Sequence, residues 1–150
     1  MKKNRPAIEQ RINYLEEIEA IKKLKYGYAD GCDDVFCRNK MESLLNLFTS
    51  DAVWDVGEFG KYTGKKEIEG CLSEIRKTFV YAMHYFMNPR IEVSGKRANG
   101  RWYMLAMYTN VEAQDILLAG SEDDQYKKVN GQWLVSNMKL NINFQEILST

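Results

Sequence analysis

From Phe79 onward the chain almost loses the three-to-four-residue spacing of a helix, and apolar and polar side chains alternate instead. Strands are expected at 79–88, 90–98, 101–113, 115–128 and 132–145, joined at SGK, ANG and VNG, where two Asn-Gly pairs suit hairpin turns. Strands joined by such short turns pair antiparallel, and the apolar face of the resulting sheet has to be covered by something else in the fold.

The covering elements come first in the chain. Ile8, Ile12, Leu15, Ile18, Ile21, Leu24 and Tyr28 recur every three or four residues, which predicts one long amphipathic helix starting after Pro6 and weakened at Gly27 and Gly31. A second, short helix is expected around 38–48, where Met41, Leu44, Leu45, Leu47 and Phe48 supply the apolar side. DAVWDV reads as a strand, GEFGKYTG as a glycine-rich turn with a short strand, and KKEIEGCLSEIRKTF as a third helix. Helices followed by a run of antiparallel strands make an α+β fold, and 150 residues fit one domain, residues 1–150.

Alternation sorts the side chains by face. In the strand from Phe79, Val80, Ala82, His84, Phe86 and Asn88 lie on one side, and Tyr81, Met83, Tyr85 and Met87 on the other. Both sides are largely apolar. Such a strand fits a curved sheet with helices and a cavity on the concave side and another subunit, or a large exposed patch, on the convex side. On the last strand Leu134, Ser136, Met138, Leu140, Ile142 and Phe144 form the set expected in the core or cavity, opposite Val135, Asn137, Lys139, Asn141 and Asn143.

Lysine plus arginine equals aspartate plus glutamate at 21 each, so no net field draws the chain to nucleic acid or to an anionic membrane. The lysines at 22, 23, 25, 65 and 66 are diluted by acids and read as solvated faces. No apolar run approaches the ~20 residues of a spanning helix, and MKKNRPAIEQ lacks the apolar segment of a secretory signal. A soluble, cytoplasmic protein is expected. Cys32, Cys37 and Cys71 are an odd set without C-x-x-C spacing, which fits free thiols better than disulfides or a zinc site. One histidine with scattered carboxylates makes no recognisable metal-ligand set, and no cofactor is implied.

That one histidine, His84, sits in AMHYFMNPR among aromatic and apolar neighbours. A lone imidazole in such a setting is either hydrogen-bonded core filler or a proton acceptor. The pieces around it resemble, in order and spacing, the SnoaL-like branch of the nuclear-transport-factor-2-like superfamily. They are EIEAIKKLKYGYADGCD, LFTSDAVWDVGEFGKYTGKKEIE, MHYFMNPRIEV, ANGRWYMLAMY and DDQYKKVNGQW, which together span most of the chain. The resemblance implies a cone of three helices packed on a strongly bent, mixed but mostly antiparallel sheet that encloses an apolar cavity. The apolar convex face is expected to join copies in a homodimer or homotrimer.

Lyases of this branch, such as scytalone dehydratase, bile-acid dehydratases and hexachlorocyclohexane dehydrochlorinase, imply the site. By that resemblance His84 is the general base, Asp33 orients it, and Tyr28 is a cavity side chain five positions before the aspartate. A neutral imidazole can take a proton near neutral pH, and a carboxylate on its other nitrogen stabilises the cation formed. Periodicity alone leaves the carboxylate open. Residues 28 and 33 lie about 140° apart on an ideal helix, so Asp30 or Asp34 is equally plausible as the inward acid, and all three could be a solvated helix end. Tyr28 continues the apolar stripe and could equally be a core tyrosine.

Trp54, Phe86, Met138, Ile142 and Phe144 are the expected ligand-binding wall, while Trp102 and Trp133 read as packing residues. Some relatives carry an arginine on the last strand facing the pocket. Here Met138 or Ile142 takes that place, and Lys139 has the wrong alternation to substitute. The function implied is a cofactor-independent lyase of dehydratase type, or an isomerase, acting on a small hydrophobic cyclic molecule. A non-catalytic ligand-binding or accessory domain is the alternative.

Overall fold

Two tight turns set the register of the sheet. Asn130 and Gly131 both hold positive φ, 49° and 84°, as a two-residue type I′ hairpin turn requires, and Gly95 holds φ 59° at the first central position of the other. A computed structural model describes residues 7–38 and 40–148, so Pro6 lies outside the described residues. In chain order the elements are α1 (Ile8–Arg38), α2 (Glu42–Leu45), β1 (Phe48–Asp55), β2 (Lys61–Thr63), α3 (Gly64–Ile75), β3 (Phe79–Ser94), β4 (Arg97–Asn110), β5 (Asp115–Val129) and β6 (Gln132–Ile147). A 3₁₀ turn at Gly57–Phe59 joins β1 to β2.

The strands form one mixed sheet in the order β2-β1-β6-β5-β4-β3. Only β1 and β6 pair in parallel, and the sheet does not close, since β2 and β3 remain as edges. The three helices pack on this sheet. Ile21, Leu24 and Val35 of α1 meet Leu44, Phe48, Trp133, Val135 and Met138 in the main core.

Several local expectations are corrected. The second helix covers only Glu42–Leu45, not 38–48, because α1 continues through Gly27 and Gly31 to Arg38. Gly31 is where α2 approaches α1; a Cβ there would lie 3.1 Å from Leu44. The buried stripe of α1 is Ile21, Leu24, Lys25, Tyr28, Gly31, Cys32 and Val35, whereas Ile8 and Leu15 are 73% and 63% exposed. At 1.5 Å per residue a helix of 31 residues is about 46 Å long, and its first turns lie beyond the core.

The expected strands 79–88 and 90–98 are one strand, β3, crossing a bulge at Asn88 (φ 51°) and Pro89. Proline lacks the ladder N–H, and β3 tolerates it as an edge strand. ANG is no turn. Asn99 and Gly100 lie inside β4, where a Cβ on Gly100 would come 2.9 Å from the Tyr126 ring. A register shift after Phe79 turns Phe79 toward the concave side and leaves Val80 54% exposed, reversing the face expected for Val80.

β6 carries two such shifts. Between Val135 and Asn137 the extra residue is Ser136, so Val135 and Met138 are both buried, and Leu134 and Ser136 are not the core residues expected. Between Ile142 and Phe144 the extra residue is Asn143, which inverts the alternation again. Bulges bend the strand that carries them. Opposite the second bulge, a Cβ on Gly120 would stand 2.2 Å from the Asn141 carbonyl oxygen. Gly120→Ala should therefore destabilise the protein by about 1–3 kcal/mol, the usual range for overpacking. Urea unfolding measures this, and a loss under about 0.5 kcal/mol, the range of a neutral surface change, would mean the β5–β6 crossing is not held there.

The convex face carries Tyr81, Tyr85, Met87, Tyr103 and Met107, all about two-fifths exposed or more in the single chain.

Candidate active site

β3 brings His84 to the concave face opposite the last turns of α1. The Asp33 Oδ1 accepts two hydrogen bonds from this one residue, from the backbone N–H at 3.0 Å and from Nδ1 at 2.7 Å. A carboxylate facing Nδ1 fixes the neutral ring with its proton on that nitrogen, leaving the Nε2 lone pair as the acceptor. The hydroxyl of Tyr108, on β4, donates to Nε2 at 2.8 Å. The imidazole is stacked between Phe36 (6.5 Å, 25°) and Phe86 (6.4 Å, 9°), and its side chain is only 7% exposed. Of the three candidate acids, Asp33 is the one at the ring. Asp34 pairs with Arg38 at 3.2 Å, and Asp30 is exposed.

Tyr28 stands one and a half turns before Asp33 on α1 and is 3% exposed, its hydroxyl paired with the Cys32 thiol. Its ring meets Phe48 at 6.0 Å and Phe86 at 5.7 Å. Burial pushes the Tyr28 phenol, the Cys32 thiol and the Tyr108 phenol well above their ordinary ranges, so all three keep their protons at neutral pH.

Behind Tyr28 lies a buried charged group that sequence reasoning missed. Lys25, assigned to a solvated face from its sequence, is fully buried; its ammonium pairs with Glu122 and, at 2.8 Å, with Asp124. Tyr126 donates to Asp124 at 2.6 Å and the Trp102 indole to Tyr126 at 3.0 Å. The same ammonium lies 4.1 Å from the Phe86 ring centroid and 4.6 Å from that of Tyr28. Two carboxylates share one ammonium. Burial pushes the Glu122 carboxyl up to about 7 against the pull of Lys25, while Asp124 also accepts from the Tyr126 hydroxyl. Lys25 itself is raised, because the attraction of Asp124 and Glu122 outweighs its own burial.

These groups surround a pocket of about 810 Å³ between α1, α3 and the sheet. His84, Tyr28, Tyr108 and Glu122 are among its polar lining, with Lys61, Tyr62, Glu67, Glu74 and Gln145, and Phe36, Trp54, Val56, Phe79, Met104, Ile116, Leu118 and Ile142 form much of its apolar wall. Of the expected wall, Trp54 and Ile142 line the pocket. The other three do not. Phe86 lies behind His84 and under Lys25, and Met138 is 0% exposed in the core. Phe144 is 47% exposed because the bulge at Asn143 turns it outward and brings Gln145 to the pocket instead.

Tyr108 and Lys25 were both within reach of pattern arguments. Trp102, Met104, Ala106 and Tyr108 share one face of β4 by simple alternation, and the burial of Trp102 assigns that face to the interior. Lys25 falls on the stripe Ile21, Lys25, Tyr28, Cys32, Val35, spaced by four and three residues in turn. A lysine on an apolar stripe calls for a buried acid, and Glu122 and Asp124 alternate on one strand face.

The sequence model of the SnoaL-like domain family matches residues 13–139. No curated protein sequence matches the chain. Solved structures are similar over nearly the whole length. A type 2 hexachlorocyclohexane dehydrochlorinase has 25% identity and a TM-score of 0.83, with 93% of each chain covered. A type 3 enzyme of the same name from Novosphingobium barchaimii has 26% identity and a TM-score of 0.82, covering 92% of this chain and 94% of its own. A candidate scytalone dehydratase from Novosphingobium aromaticivorans has 28% identity and a TM-score of 0.80, covering 91% and 90%.

Proposed function

We propose that this chain, which belongs to the SnoaL-like domain family, is a cofactor-independent lyase of dehydratase type, with isomerisation as the related outcome, acting on a small hydrophobic cyclic molecule. The observation that carries this is His84, held at 2.7 Å by Asp33 on the wall of an apolar pocket. A base so placed is the final acceptor of a proton lost from beside a carbonyl, and Asp33 stabilises the imidazolium that results. Apolar walls exclude water and strengthen both effects. Tyr28, which keeps its proton at neutral pH, is the donor for a substrate carbonyl.

Loss of water suits this pocket better than loss of halide. A departing hydroxyl leaves as neutral water once it is given a proton, whereas a halide leaves as an anion. β6 has no arginine to receive one, Lys25 is already neutralised by two carboxylates, and Lys61 is exposed at the rim.

A second reading, ligand binding without turnover, is favoured by one feature: the same Asp33 oxygen accepts the backbone N–H of His84, which ties α1 to β3 whatever the chemistry. Cyclic β-hydroxy ketones, from 3-hydroxycyclohexanone to its bicyclic decalone analogues, distinguish the two through the absorbance of the enone product. Turnover in the wild type that drops by about 10²-fold or more in Asp33→Asn is the expected result. Enones that bind well while no hydroxy ketone turns over would favour the binding role.

A further inference from the structure

Both nitrogens of the imidazole are already engaged. Asp33 takes the Nδ1 proton and the Tyr108 hydroxyl occupies Nε2, so neither is left free to meet a molecule in the pocket. Tyr108 lines that pocket and cannot swing aside cheaply. Its backbone is paired on both sides, with Ala82 of β3 and with Ile116 of β5. Its ring is held by Phe79 at 5.1 Å and by Phe36 edge-on at 6.0 Å. The imidazole is equally fixed, between Phe36 and Phe86.

We infer that Tyr108 is the residue that touches the reacting proton, and that it relays that proton to His84. This rests on the lyase reading above and deepens it. With Nδ1 protonated, the single Tyr108 proton points at Nε2, and the phenolic oxygen keeps its lone pairs for a partner on the pocket side. In the forward step the substrate proton next to the carbonyl passes to the Tyr108 oxygen as the Tyr108 proton passes to Nε2. The C–H electron pair passes into the adjacent carbonyl as an enolate, with the C–O bond still intact. The imidazolium then returns its proton to Tyr108 as Tyr108 passes one to the hydroxyl oxygen; the enolate pair forms the C=C bond, the C–O bond breaks, and water leaves with the enzyme unchanged. A phenol raised by burial suits a group that exchanges one proton for another and is never left as a lasting anion.

The relay selects its substrate. The acidic C–H must reach a phenolic oxygen on β4 and not the imidazole, so the ring to be dehydrated lies toward Phe79, Phe36 and Ile116, with its carbonyl directed to Tyr28. Flat or half-flat carbocycles with a hydroxyl β to a carbonyl fit these walls.

The test uses Tyr108→Phe, in which ring packing is preserved and only the oxygen is lost. With the best hydroxy ketone of the series above, the expected result is a kcat lower by about 10²–10⁴-fold with KM little changed. The wild-type rate in mixed H₂O–D₂O should show the curved dependence of two protons in flight. Because His84 is the only histidine, ¹⁵N-histidine labelling gives one pair of ring signals, which report fold and tautomer without substrate. In Tyr108→Phe the Nδ1–H tautomer should persist while the Nε2 signal moves to that of an unbonded nitrogen. Turnover at or above the wild-type rate in Tyr108→Phe, but abolished in His84→Gln, would overturn the relay and leave the lyase reading standing. Turnover surviving in His84→Gln, or absent in the wild type, would overturn the lyase reading and the relay with it.

Discussion

His84→Gln should fold and melt close to wild type yet turn over a cyclic hydroxy ketone about 10²–10⁴-fold more slowly, the usual contribution of a positioned base. Glutamine can keep both hydrogen bonds of the ring, its amide N–H₂ donating to Asp33 and its carbonyl accepting from Tyr108, in place of the 2.7 and 2.8 Å contacts. An amide oxygen has no useful basicity near neutral pH. The substitution therefore removes proton acceptance and little else, and ligand binding should change far less than turnover. A purely structural histidine gives the opposite pattern, a lowered melting temperature with activity per folded molecule unchanged. Thermal melting and turnover measured on the same preparation separate the two, and full activity in well-folded His84→Gln would end the catalytic assignment.

Lys25→Met is expected to be the most damaging single change to stability, about 3–5 kcal/mol at about pH 8, the range for removing one partner of a buried ion pair. Methionine matches much of the apolar stem, so the loss comes from Asp124 and Glu122 left buried without their ammonium. The deficit depends on pH with a definite sign. In the wild type the Glu122 carboxyl is raised from its ordinary 4.5 to about 7. Its contribution to stability is complete below about 4.5 and is lost as pH rises through about 7. Without the ammonium that pulls against its burial, Glu122 holds its proton more tightly still, so the variant should be damaged less at about pH 5 than at about pH 8. Urea unfolding at both values measures this. A loss below about 1 kcal/mol at the higher pH, the size of an exposed pair, would mean that water reaches the group. Adding Glu122→Gln to Lys25→Met should recover part of the loss at the higher pH, because one of the two stranded charges is removed.

The amino-acid sequence by itself determined the order of helices and strands and singled out His84, although α2 is shorter and β3 longer than expected. Period-two alternation after Phe79 and the Asn130-Gly131 turn specify an antiparallel sheet, because a strand side chain has only two directions to choose from. The lone histidine in MHYFMNPR stood out for the same reason: its face of β3 was apolar on either side. Alternation fails, however, wherever one residue is inserted. Ser136 and Asn143 each invert the phase of everything after them, so Phe144 goes outward and Gln145 inward with no local signal of the change.

The tertiary structure decided what depends on the angle of one element against another. Asp30, Asp33 and Asp34 are equivalent on paper, and only the rotation of α1 against β3 puts the Asp33 carboxylate on the ring and leaves Asp30 in solvent. Lys25 has the composition of a surface residue, and its burial follows from carboxylates that stand 97 and 99 residues away in sequence. Tyr108 meets His84 because antiparallel pairing of β3 with β4 puts Tyr108 opposite Ala82, a diagonal neighbour of the ring. Local preference acts over a few residues and so reveals elements and faces; rotation, register shifts and buried charge pairs are settled by contacts between distant segments, and the proton path through Tyr108 is built from those.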